Sequence, residues 1–421
     1  QTIEMASLTV STSEDIWDIS DNRISLREAI AYAALGVSDS SGNKIITFDN
    51  NIFSTYSTIT LDSAYGMLQI ANGVFSNANP LIIDGSIGNN RTVTFDGGSV
   101  SQILRIGQTN TLYLNNLTFQ NGSASNGGAI YTTGDSLVVN NSTFINNCAQ
   151  NGGSIYNEEG ALTIINSTFT KNTAQVGGAL YNKGSLTILN TILVGNDTND
   201  IFNNGNGRAY YSLIGTVSLE NWSTEAGSMN NVSVEDTFLV DSDGNIVIES
   251  DEMAHVKYGG LAHGKGIYVW HNEDYSAIAY SVTKEGQKTA VTGNIDDATI
   301  CISIDQRGRE RIDPVDIGAE VVTQKNIIIE PESPDFLYSI IAQEYDGTTI
   351  VDNAVIQVVV DGKIIELSWK SAFFNSADVL GVTTATFKDL SCKDIAYKLS
   401  SDTITLDATE KIIAKDITVT A

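Results

Sequence analysis

The chain contains little proline, little cysteine and few charged residues for its length. Its 421 residues include 4 prolines, 3 cysteines and 3 histidines, and only 17% of them are charged. The cysteines, Cys148, Cys301 and Cys392, lie too far apart for a zinc-binding pattern or a small disulfide framework. No apolar run approaches the roughly 18 residues that a membrane-spanning helix requires. These scarcities exclude a disulfide-stapled module and a helical membrane protein, and we expect Cys148 to be a buried free thiol.

Acidic residues outnumber basic residues by more than two to one. The 50 Asp and Glu residues against 23 Lys and Arg residues give a formal net charge of −27 at pH 7. Such a chain repels nucleic acids and anionic membrane surfaces, so we expect neither as a partner, and no membrane insertion. The acidity favours a soluble, extracellular protein. Calcium ions are compatible with such an acidic surface, but we assign no cofactor to the chain.

A short phrase recurs every 25 residues in the middle of the chain. It occupies Gly127–Tyr131, Gly152–Tyr156 and Gly177–Tyr181, and each copy begins with two glycines and ends with a tyrosine. A second phrase, with Asn, Ser and Thr before a Phe, keeps the same period at Leu137–Phe144 and Leu162–Phe169. A fixed period of about 20 to 50 residues indicates stacked supersecondary units.

Each repeat unit contains short β-type runs separated by turns, and none has the apolar periodicity of a helix. The sequence therefore predicts an all-β chain whose main domain is a right-handed parallel β-helix, with equivalent residues of successive coils above one another. This stacking predicts an internal column of aromatic rings, a ladder of asparagine amides at one turn, and a row of glycines at a tight corner. The three columns are Phe119, Phe144 and Phe169; Asn116, Asn141 and Asn166; and Gly127, Gly152 and Gly177.

The chain divides into two predicted domains. They are a β-helix with an N-terminal cap over residues 1–322 and a second domain over residues 335–421, joined by a linker over residues 323–334. The cap is a helix predicted over residues 25–36, because Ser25 and Glu28 form a capping-box pattern ahead of an apolar face. The final segment contains seven short strand patterns, which predict an immunoglobulin-like (Ig-like) β-sandwich.

The register of the repeat weakens after Asn196, although strand patterns continue. We interpret the following patterns as further, irregular coils: Ser212–Ile214, Ile246–Ile248, Ile267–Trp270 and Ile300–Ile304. At one coil per 25 residues, positions 44–320 would then hold roughly eleven coils.

Two motifs frame the repeats. Ser25–Ile30 has the sequence SLREAI, and residues 305–308 and 316–320 have the sequences DQRG and DIGAE, with Arg311 between them. These motifs resemble the opening and closing motifs of bacterial secreted right-handed β-helix proteins, and the repeats are similar to those of polymorphic outer-membrane and adhesin-like proteins. The resemblance covers about residues 8–322 and implies this fold, with adhesion as the usual function. The second domain resembles the Ig-like modules that space such proteins.

The closing motif also has a chemical interpretation. Arg307, Arg309 and Arg311 lie within five positions and are surrounded by acidic residues. Arginine forks satisfy carboxylates and exposed backbone carbonyls. We expect this cluster to close the last coils, the alternative being a substrate-binding site.

No residue pattern in the chain defines a catalytic, cofactor-binding or metal site. β-Helix enzymes that cleave acidic polysaccharides need carboxylates on neighbouring coils, and the repeats place none at a common position. The turn residues that do align, Asp135, Glu158 and Lys183, change sign along the stack, as expected for a variable exposed turn. Asp241–Asn245 lacks the glycine position of an EF-hand loop and predicts a β-turn.

Three histidines recur at intervals of eight residues. His255, His263 and His271 lie in a segment rich in aromatic and polar groups, which includes Tyr268 and Trp270. Aromatic faces together with carboxylates suit carbohydrate binding, whereas the alternative is an irregular coil with ordinary packing. A ligand site, if there is one, is expected in this segment, although its residues cannot be named.

The sequence thus favours a non-enzymatic protein of the extracellular space or cell surface. We expect a rod-like module for adhesion or structural display that is one unit of a larger or assembled protein. Its expected partners are cell-surface glycans or proteins, or copies of itself. Two alternatives stay open: a self-assembling filament or surface-layer subunit, indicated by end-to-end stacking, and a polysaccharide lyase or hydrolase, indicated by a carboxylate cluster on neighbouring coils.

Overall fold

Two separately packed units make up the chain in its computed structural model. The first comprises residues 1–237, 248–256 and 260–322, and the second comprises residues 238–247, 257–259 and 323–421. The structure describes residues 6–54, 58–87, 92–219, 222–225, 227–248, 254–257, 260–263, 265–272, 277–281, 284, 287–302, 305, 311, 316–318, 325–341, 343–344, 349–351, 353–360, 362–376, 381–392, 397–409 and 412–413.

Three parallel sheets form a solenoid in the first unit. Neighbouring strands of each sheet come from successive coils, so each complete coil contributes one strand to each sheet. The pairing is in register, since Phe144 lies opposite Phe119 on one side and opposite Phe169 on the other. The parallel β-helix predicted from the repeat is confirmed.

The strands of the solenoid are short, between two and five residues each. The first sheet contains Thr9–Val10, Lys44–Phe48, Leu81–Asp84, Thr111–Asn115, Ser136–Asn140, Ala161–Ile165, Ser185–Leu189, Asn206–Tyr210 and Trp222–Thr224. The second sheet contains Leu68–Ile70, Leu104–Ile106, Ile130–Thr132, Ile155–Asn157, Leu180–Asn182, Ile201–Asn203 and Val217–Leu219. The third sheet contains Thr58–Thr60, Val93–Asp96, Leu117–Gln120, Thr143–Ile145, Thr168–Thr170, Ile192–Leu193 and Leu213–Ile214. A two-stranded parallel sheet adds Cys148–Asn151 and Thr173–Val176.

The interior of the solenoid is a continuous apolar column. The rings of Phe119, Phe144 and Phe169 are stacked in it, with neighbouring centroids 4.7 and 4.4 Å apart. All three side chains are fully buried. Burial of a Phe side chain contributes about 2–3 kcal/mol, so this predicted stack is a principal source of stability in the central coils.

The asparagine and glycine columns occupy turns whose backbone has positive φ. The φ angles are 56°, 46° and 47° at Asn116, Asn141 and Asn166, and 62°, 61° and 66° at Gly127, Gly152 and Gly177. A Cβ atom on Gly152 would lie 2.3 Å from the carbonyl oxygen of Ile155, so the corner requires glycine. Asparagine is among the few other residues that tolerate this conformation. The predicted side-chain ladder is not continuous through these three residues, because Nδ2 of Asn166 has no hydrogen-bond partner among the described residues and the Asn116 amide donates to Asp84 and Ser86. A ladder contact forms one coil further on, where Asn190 donates to Oδ1 of Asn166 at 2.6 Å.

A second asparagine ladder, which the sequence analysis did not predict, is fully buried. Asn147 donates to Oδ1 of Asn172 at 3.0 Å, and Asn172 donates to Oδ1 of Asn196 at 2.8 Å. The ladder ends where Asn196 donates to Oδ1 of Asp200 at 2.7 Å. Burial raises the pKa of the Asp200 carboxyl, while hydrogen bonds from Thr216 and Asn196 act against that rise.

The helix Leu26–Ala34 covers the first coil, as predicted. Ser25 accepts a hydrogen bond from the Glu28 backbone N–H, and the Glu28 side chain accepts one from Ser25, which completes a capping box. Leu26 and Ile30 lie on the buried face of the helix. The other helical elements of the described residues are the single turn Val234–Thr237 and the 3₁₀-helix Ile295–Asp297.

Arg27 fastens this helix to the solenoid. Its guanidinium pairs with the Asp15 carboxylate at 2.8 Å, and the side chains are only 13% and 2% exposed. It also donates to the carbonyl oxygens of Gly66 and Met67 at 2.7 and 3.1 Å. Arg27 therefore satisfies backbone oxygens that the first coil would otherwise leave unpaired at its end.

An antiparallel sheet covers the outer face of the first solenoid sheet. Its four strands, in spatial order, are Thr289–Thr292, Ile278–Ser281, Tyr268–His271 and Ile300–Ile302. Its apolar residues pack on outward-facing residues of the solenoid, the two sets being Ile267, Val269, Ile278 and Ile302, and Tyr113, Val138, Ile165 and Leu189. The prediction that the strands at 267–270 and 300–302 are further coils is therefore wrong. The estimate of roughly eleven coils is wrong with it, because the three parallel sheets end at Trp222–Thr224, Val217–Leu219 and Leu213–Ile214. Strands such as Ser136–Asn140 are apolar on both faces, and such strands need a cover on each side.

The second unit consists mainly of antiparallel sheets, in agreement with a β-sandwich. One sheet contains Phe336–Ile340, Ala354–Val360, Lys363–Ser368 and Ser391–Cys392, and another contains Ser371–Phe374, Thr384–Lys388 and Thr403–Asp407. Two parallel pairs are formed by Lys325–Ile327 with Tyr397–Leu399 and by Gln343–Glu344 with Ile412–Ile413. Ile356, Ala385 and Phe387 are among the buried residues of its core.

Replacing Arg27 with Ala should lower the free energy of unfolding of the first unit by about 3 kcal/mol or more, because Asp15 would stay buried without its partner. The matched control is Arg23→Ala. Arg23 pairs with Glu14 and Asp21 at the surface, so its loss should cost at most about 1 kcal/mol. Urea unfolding followed by tryptophan fluorescence measures both variants. Equal losses would contradict the anchoring role of Arg27.

Replacing Asn172 with Ala should cost about 3 kcal/mol, because its buried amide bonds to the ladder on both sides and to the Phe144 carbonyl oxygen. Asn151 is the matched control. Its part-buried amide donates to Oδ1 of Asn126, and Asn151→Ala should cost about 1 kcal/mol. The same urea titration compares them, and a loss for Asn172→Ala no larger than for Asn151→Ala would show that the buried ladder adds nothing.

Candidate functional site

The three faces of the solenoid differ in how accessible their outer surfaces are. Outward residues of the central strands of the first sheet, such as Val138 and Leu189, lie beneath the antiparallel sheet, whereas Arg208 near one end of that sheet is exposed. On the third sheet Thr143 and Thr168 point outward but are buried, and a Cβ atom on Gly318 would lie 3.0 Å from Oγ1 of Thr168. On the second sheet Arg105 is exposed and Tyr131 is partly exposed. In the central coils of the described solenoid, the second sheet therefore presents a more accessible outer face than the first and third sheets do.

Four aromatic side chains form a column along this accessible face. They occupy equivalent outward positions in adjacent strands, and they are Tyr131, Tyr156, Tyr181 and Phe202. Neighbouring ring centroids are 5.5, 4.7 and 4.7 Å apart. Because neighbouring rings contact one another, their faces are largely occupied, and Tyr131, Tyr181 and Phe202 present ring edges to solvent while Tyr156 is only 5% exposed. This aromatic column offers hydroxyl groups and ring edges, not open ring faces.

An ion pair in the adjacent turn links two rungs of the aromatic column. Lys183 Nζ lies 2.8 Å from Oε1 of Glu158 and 5.4 Å from the centre of the Tyr156 ring. The hydrogen bond with Glu158 is the main cause that raises the pKa of Lys183, and it likewise lowers the pKa of Glu158. Burial raises the pKa of Tyr156. Lys183, Glu158 and Tyr156 are thus paired with one another, so we assign them to stabilising this face and not to binding a ligand.

Arg105 lies at one end of the aromatic column. It pairs in register with Tyr131, and its guanidinium carbon lies 4.7 Å from the centre of the Tyr131 ring. A depression of about 290 Å³ adjoins the pair and is lined by these two residues together with Gln102, Ala124, Ser125 and Asn126. A cation, an aromatic ring, amides and a hydroxyl group thus meet at one place.

The histidine segment is largely buried. The side chains of His255 and His271 are 6% and 7% exposed. Nδ1 of His271 lies 2.7 Å from the carbonyl oxygen of Asn272, and burial lowers the pKa of this imidazole. His263 is more exposed, and its Nδ1 lies 3.1 Å from Oδ1 of Asp316. Residues 258 and 273–275 of this segment lie outside the described residues.

The closing motif packs against the middle of the solenoid. Arg311 is buried, and its guanidinium donates to the carbonyl oxygen of Gly318 at 2.8 Å and to Oδ1 of Asn141 at 3.2 Å. Asn141 belongs to a central coil, so the expectation that this arginine closes the last coils is wrong. The chemistry is as expected, because the guanidinium satisfies exposed oxygens. The arginines at 307 and 309 lie outside the described residues.

Three further predictions concern metal ligands, thiols and turns. Among the residues that the structure describes, no group of three or more His, Cys, Asp or Glu side chains is placed to hold a metal ion. Asp241–Asn245 is a turn, as predicted, with the Gly244 N–H donating to the Asp241 carbonyl oxygen at 3.1 Å. Cys148 was expected to be buried and is exposed, because it takes an outward position in its strand. In the same described part of the chain, no helix has the length and apolar character needed to cross a bilayer.

One comparison with known proteins gives a match. Residues 166–183 match the model of the Chlamydia polymorphic membrane protein repeat. The matched stretch runs from the Asn166 turn through Tyr181 of the aromatic column. No curated protein and no solved structure matches the chain. The repeat and the parallel solenoid together fit a surface protein of the adhesin-like type.

The sequence analysis did not single out the aromatic column or Arg105, although the signal was present. In Leu104–Ile106 and Ile130–Thr132 the middle residue lies between two buried positions. The two-residue periodicity of a strand places that middle residue on the outer surface. Asking which repeat positions face outward would have found Arg105 and the tyrosines.

Stability should fall on acidification because of His271. Its folded-state pKa lies below the ordinary value of 6.5, so its contribution to stability is fully present above that value and is lost as the pH falls from 6.5 through the folded-state pKa. The loss is at most about 1.4 kcal/mol per pH unit. Thermal unfolding at pH 7.5, 6 and 5 measures it. His271→Gln should show a smaller acid-induced loss than the wild type, and an identical pH dependence would contradict this assignment.

Proposed function

We propose that this protein is a non-enzymatic, extracellular, adhesin-like surface module that binds its partners through the outer face of the second solenoid sheet. The aromatic column is the observation that carries the proposal. It lies on the accessible face of the described solenoid, and its rings are aligned along the coils. The match of residues 166–183 to a polymorphic membrane protein repeat supports a surface role.

The physical properties of the column suit recognition of a large partner. Each ring is held by its neighbours and by a strand that is hydrogen-bonded on both sides, so binding orders few additional rotamers. Tyrosine combines apolar area with a hydroxyl group and is enriched among residues that dominate binding energy. The partners that we propose are glycans or proteins of a cell surface.

The net charge of −27 limits how those partners are recognised. Long-range attraction to anionic surfaces is absent, so affinity has to come from short-range contacts on a particular face. The β-sandwich unit has, in this proposal, an Ig-like spacing role in a larger or assembled surface protein. Neither role requires a cofactor.

Adhesion of coated beads tests the proposal. Beads that carry the purified chain should bind epithelial cell monolayers, or immobilised cell-surface glycans and proteins, above the level of albumin-coated beads. Tyr181→Ser should weaken this binding about fivefold or more, since loss of a contact tyrosine typically costs at least 1 kcal/mol.

The matched control is Tyr338→Ser, because Tyr338 is an exposed tyrosine of the second unit. Its replacement should leave adhesion unchanged, and thermal unfolding should show that both variants remain folded. Wild-type binding at the albumin level would refute adhesion. Equal effects of the two substitutions would refute the assignment to this face.

A further inference from the structure

Within the part of the first unit that the structure describes, Arg105 lacks the carboxylate partner that three other basic residues have. Arg23, Arg27 and Lys183 each form an ion pair with a carboxylate. Arg105 forms none with any described residue, although acidic groups outnumber basic groups in the chain. Its exposed guanidinium stacks on Tyr131 instead. Stacking occupies one face of the guanidinium plane and leaves the N–H donors at its edge directed into the surroundings.

The depression beside Arg105 has a fixed polar lining. Gln102 Nε2 donates to the carbonyl oxygens of Asn126 and Gly127 at 2.7 and 2.6 Å. Oδ1 of Asn126 accepts from Asn151 at 2.8 Å, which leaves the Asn126 amide NH₂ as a donor. Ser125, which is exposed, adds a hydroxyl group. The Asn126 amide beside the guanidinium is therefore held in place before any ligand arrives.

We propose that this depression is a binding subsite for a glycan that carries one isolated acidic group, a carboxylate or a sulfate, bound by the guanidinium of Arg105. The inference rests on the proposed adhesin-like function and specifies its ligand class. Guanidinium groups bind both oxyanions through paired N–H donors. The amide and hydroxyl lining complements sugar hydroxyl groups, whereas an acidic peptide would find few apolar contacts in it.

The net charge of the chain favours a glycan with one acidic group over a polymer with many acidic groups. Every additional anionic group of a polymer would face a chain whose formal charge is −27. Charges at the surface interact over a screening length of about 8 Å at physiological salt, so one acidic group within the depression is dominated by Arg105. The further charges of a polymer would lie outside the depression and be repelled by the net negative charge of the chain.

Three ligands with a common lactose core test the inference. They are 3′-sialyllactose, which carries a carboxylate, 3′-sulfolactose, which carries a sulfate, and neutral lactose. Titrations followed by saturation-transfer NMR should give dissociation constants on the order of 1 mM for at least one acidic ligand, as expected for a small ligand on an open site, and at least tenfold weaker binding of lactose. The acidic ligand that binds more tightly identifies the group.

Four proteins are compared: the wild type, Arg105→Gln, Arg105→Lys and Arg208→Gln. Arg208 is the matched control, because it is an exposed strand arginine of the first solenoid sheet and its replacement changes the net charge equally. Arg105→Gln should weaken acidic-ligand binding about tenfold or more, as loss of a charge-assisted hydrogen bond implies. Arg105→Lys should be intermediate, and Arg208→Gln should bind as the wild type does.

Several results would overturn the inference. They are binding of neither acidic ligand, lactose binding as tight as that of its acidic derivatives, and equal losses in Arg105→Gln and Arg208→Gln. N-Acetylaspartate binding as tightly as sialyllactose would show that the site takes a carboxylate without the sugar.

Bead adhesion measured in parallel separates the two proposals, because adhesion that survives Arg105→Gln without any acidic-sugar binding refutes the subsite alone. Absence of adhesion with intact, Arg105-dependent sugar binding refutes the adhesin-like function alone.

Discussion

In-register stacking of parallel strands is the constraint on which the rest of the first unit depends. Because like residues lie over like at the spacing of paired strands, each side chain has to suit its own copy above and below. Aromatic rings meet this condition by stacking, and asparagine meets it because its amide both donates and accepts. Asn182 illustrates the point: it accepts from Asn157 and donates to Asn203, each at 2.7 Å. A residue with only donors could not propagate such a ladder.

Because of the same constraint, polar groups and apolar surface would be left without a partner wherever the stacking stops. The structure supplies a different partner at each of these places. The first coil ends under a helix whose Arg27 occupies backbone oxygens. The buried ladder ends at Asp200, a residue that only accepts when ionised, so it can receive the last amide proton but cannot extend the ladder. The apolar part of the outer face of the first sheet is covered by an antiparallel sheet from a later part of the same unit. Each of these three features leaves the stacked coils intact, and each covers the apolar surface or pairs the polar groups that would otherwise be exposed or unpaired where the stacking stops.

The sequence predicted those features that repeat along the chain. The period of 25 residues predicted the parallel β-helix, the Phe144 stack and the glycine corner at Gly152, because these depend on equivalent positions. It could not predict where Arg311 would bind, since its partner Asn141 lies 170 residues away and belongs to a different motif. The antiparallel sheet was misassigned for a related reason: short strand patterns such as Ile300–Ile302 do not reveal their partners. The outward tyrosines followed from strand alternation and were overlooked.

Covering two faces of a solenoid concentrates surface chemistry on the third. Central outward residues of the first and third sheets, such as Val138 and Thr143, are buried, whereas on the second sheet the outward position of the repeat reaches the surface at Tyr131 and Tyr181. The repeat there supplies tyrosine, whose edges form a uniform column, and uniformity alone gives no specificity along the axis. Specificity requires a position where the repeat changes. Arg105 is such a position, because it occupies the outward site of a strand in the same register and replaces a ring with a planar cation. The residue that departs from the repeat, and not the repeat itself, therefore places a positive charge at one end of this face and makes its two ends different.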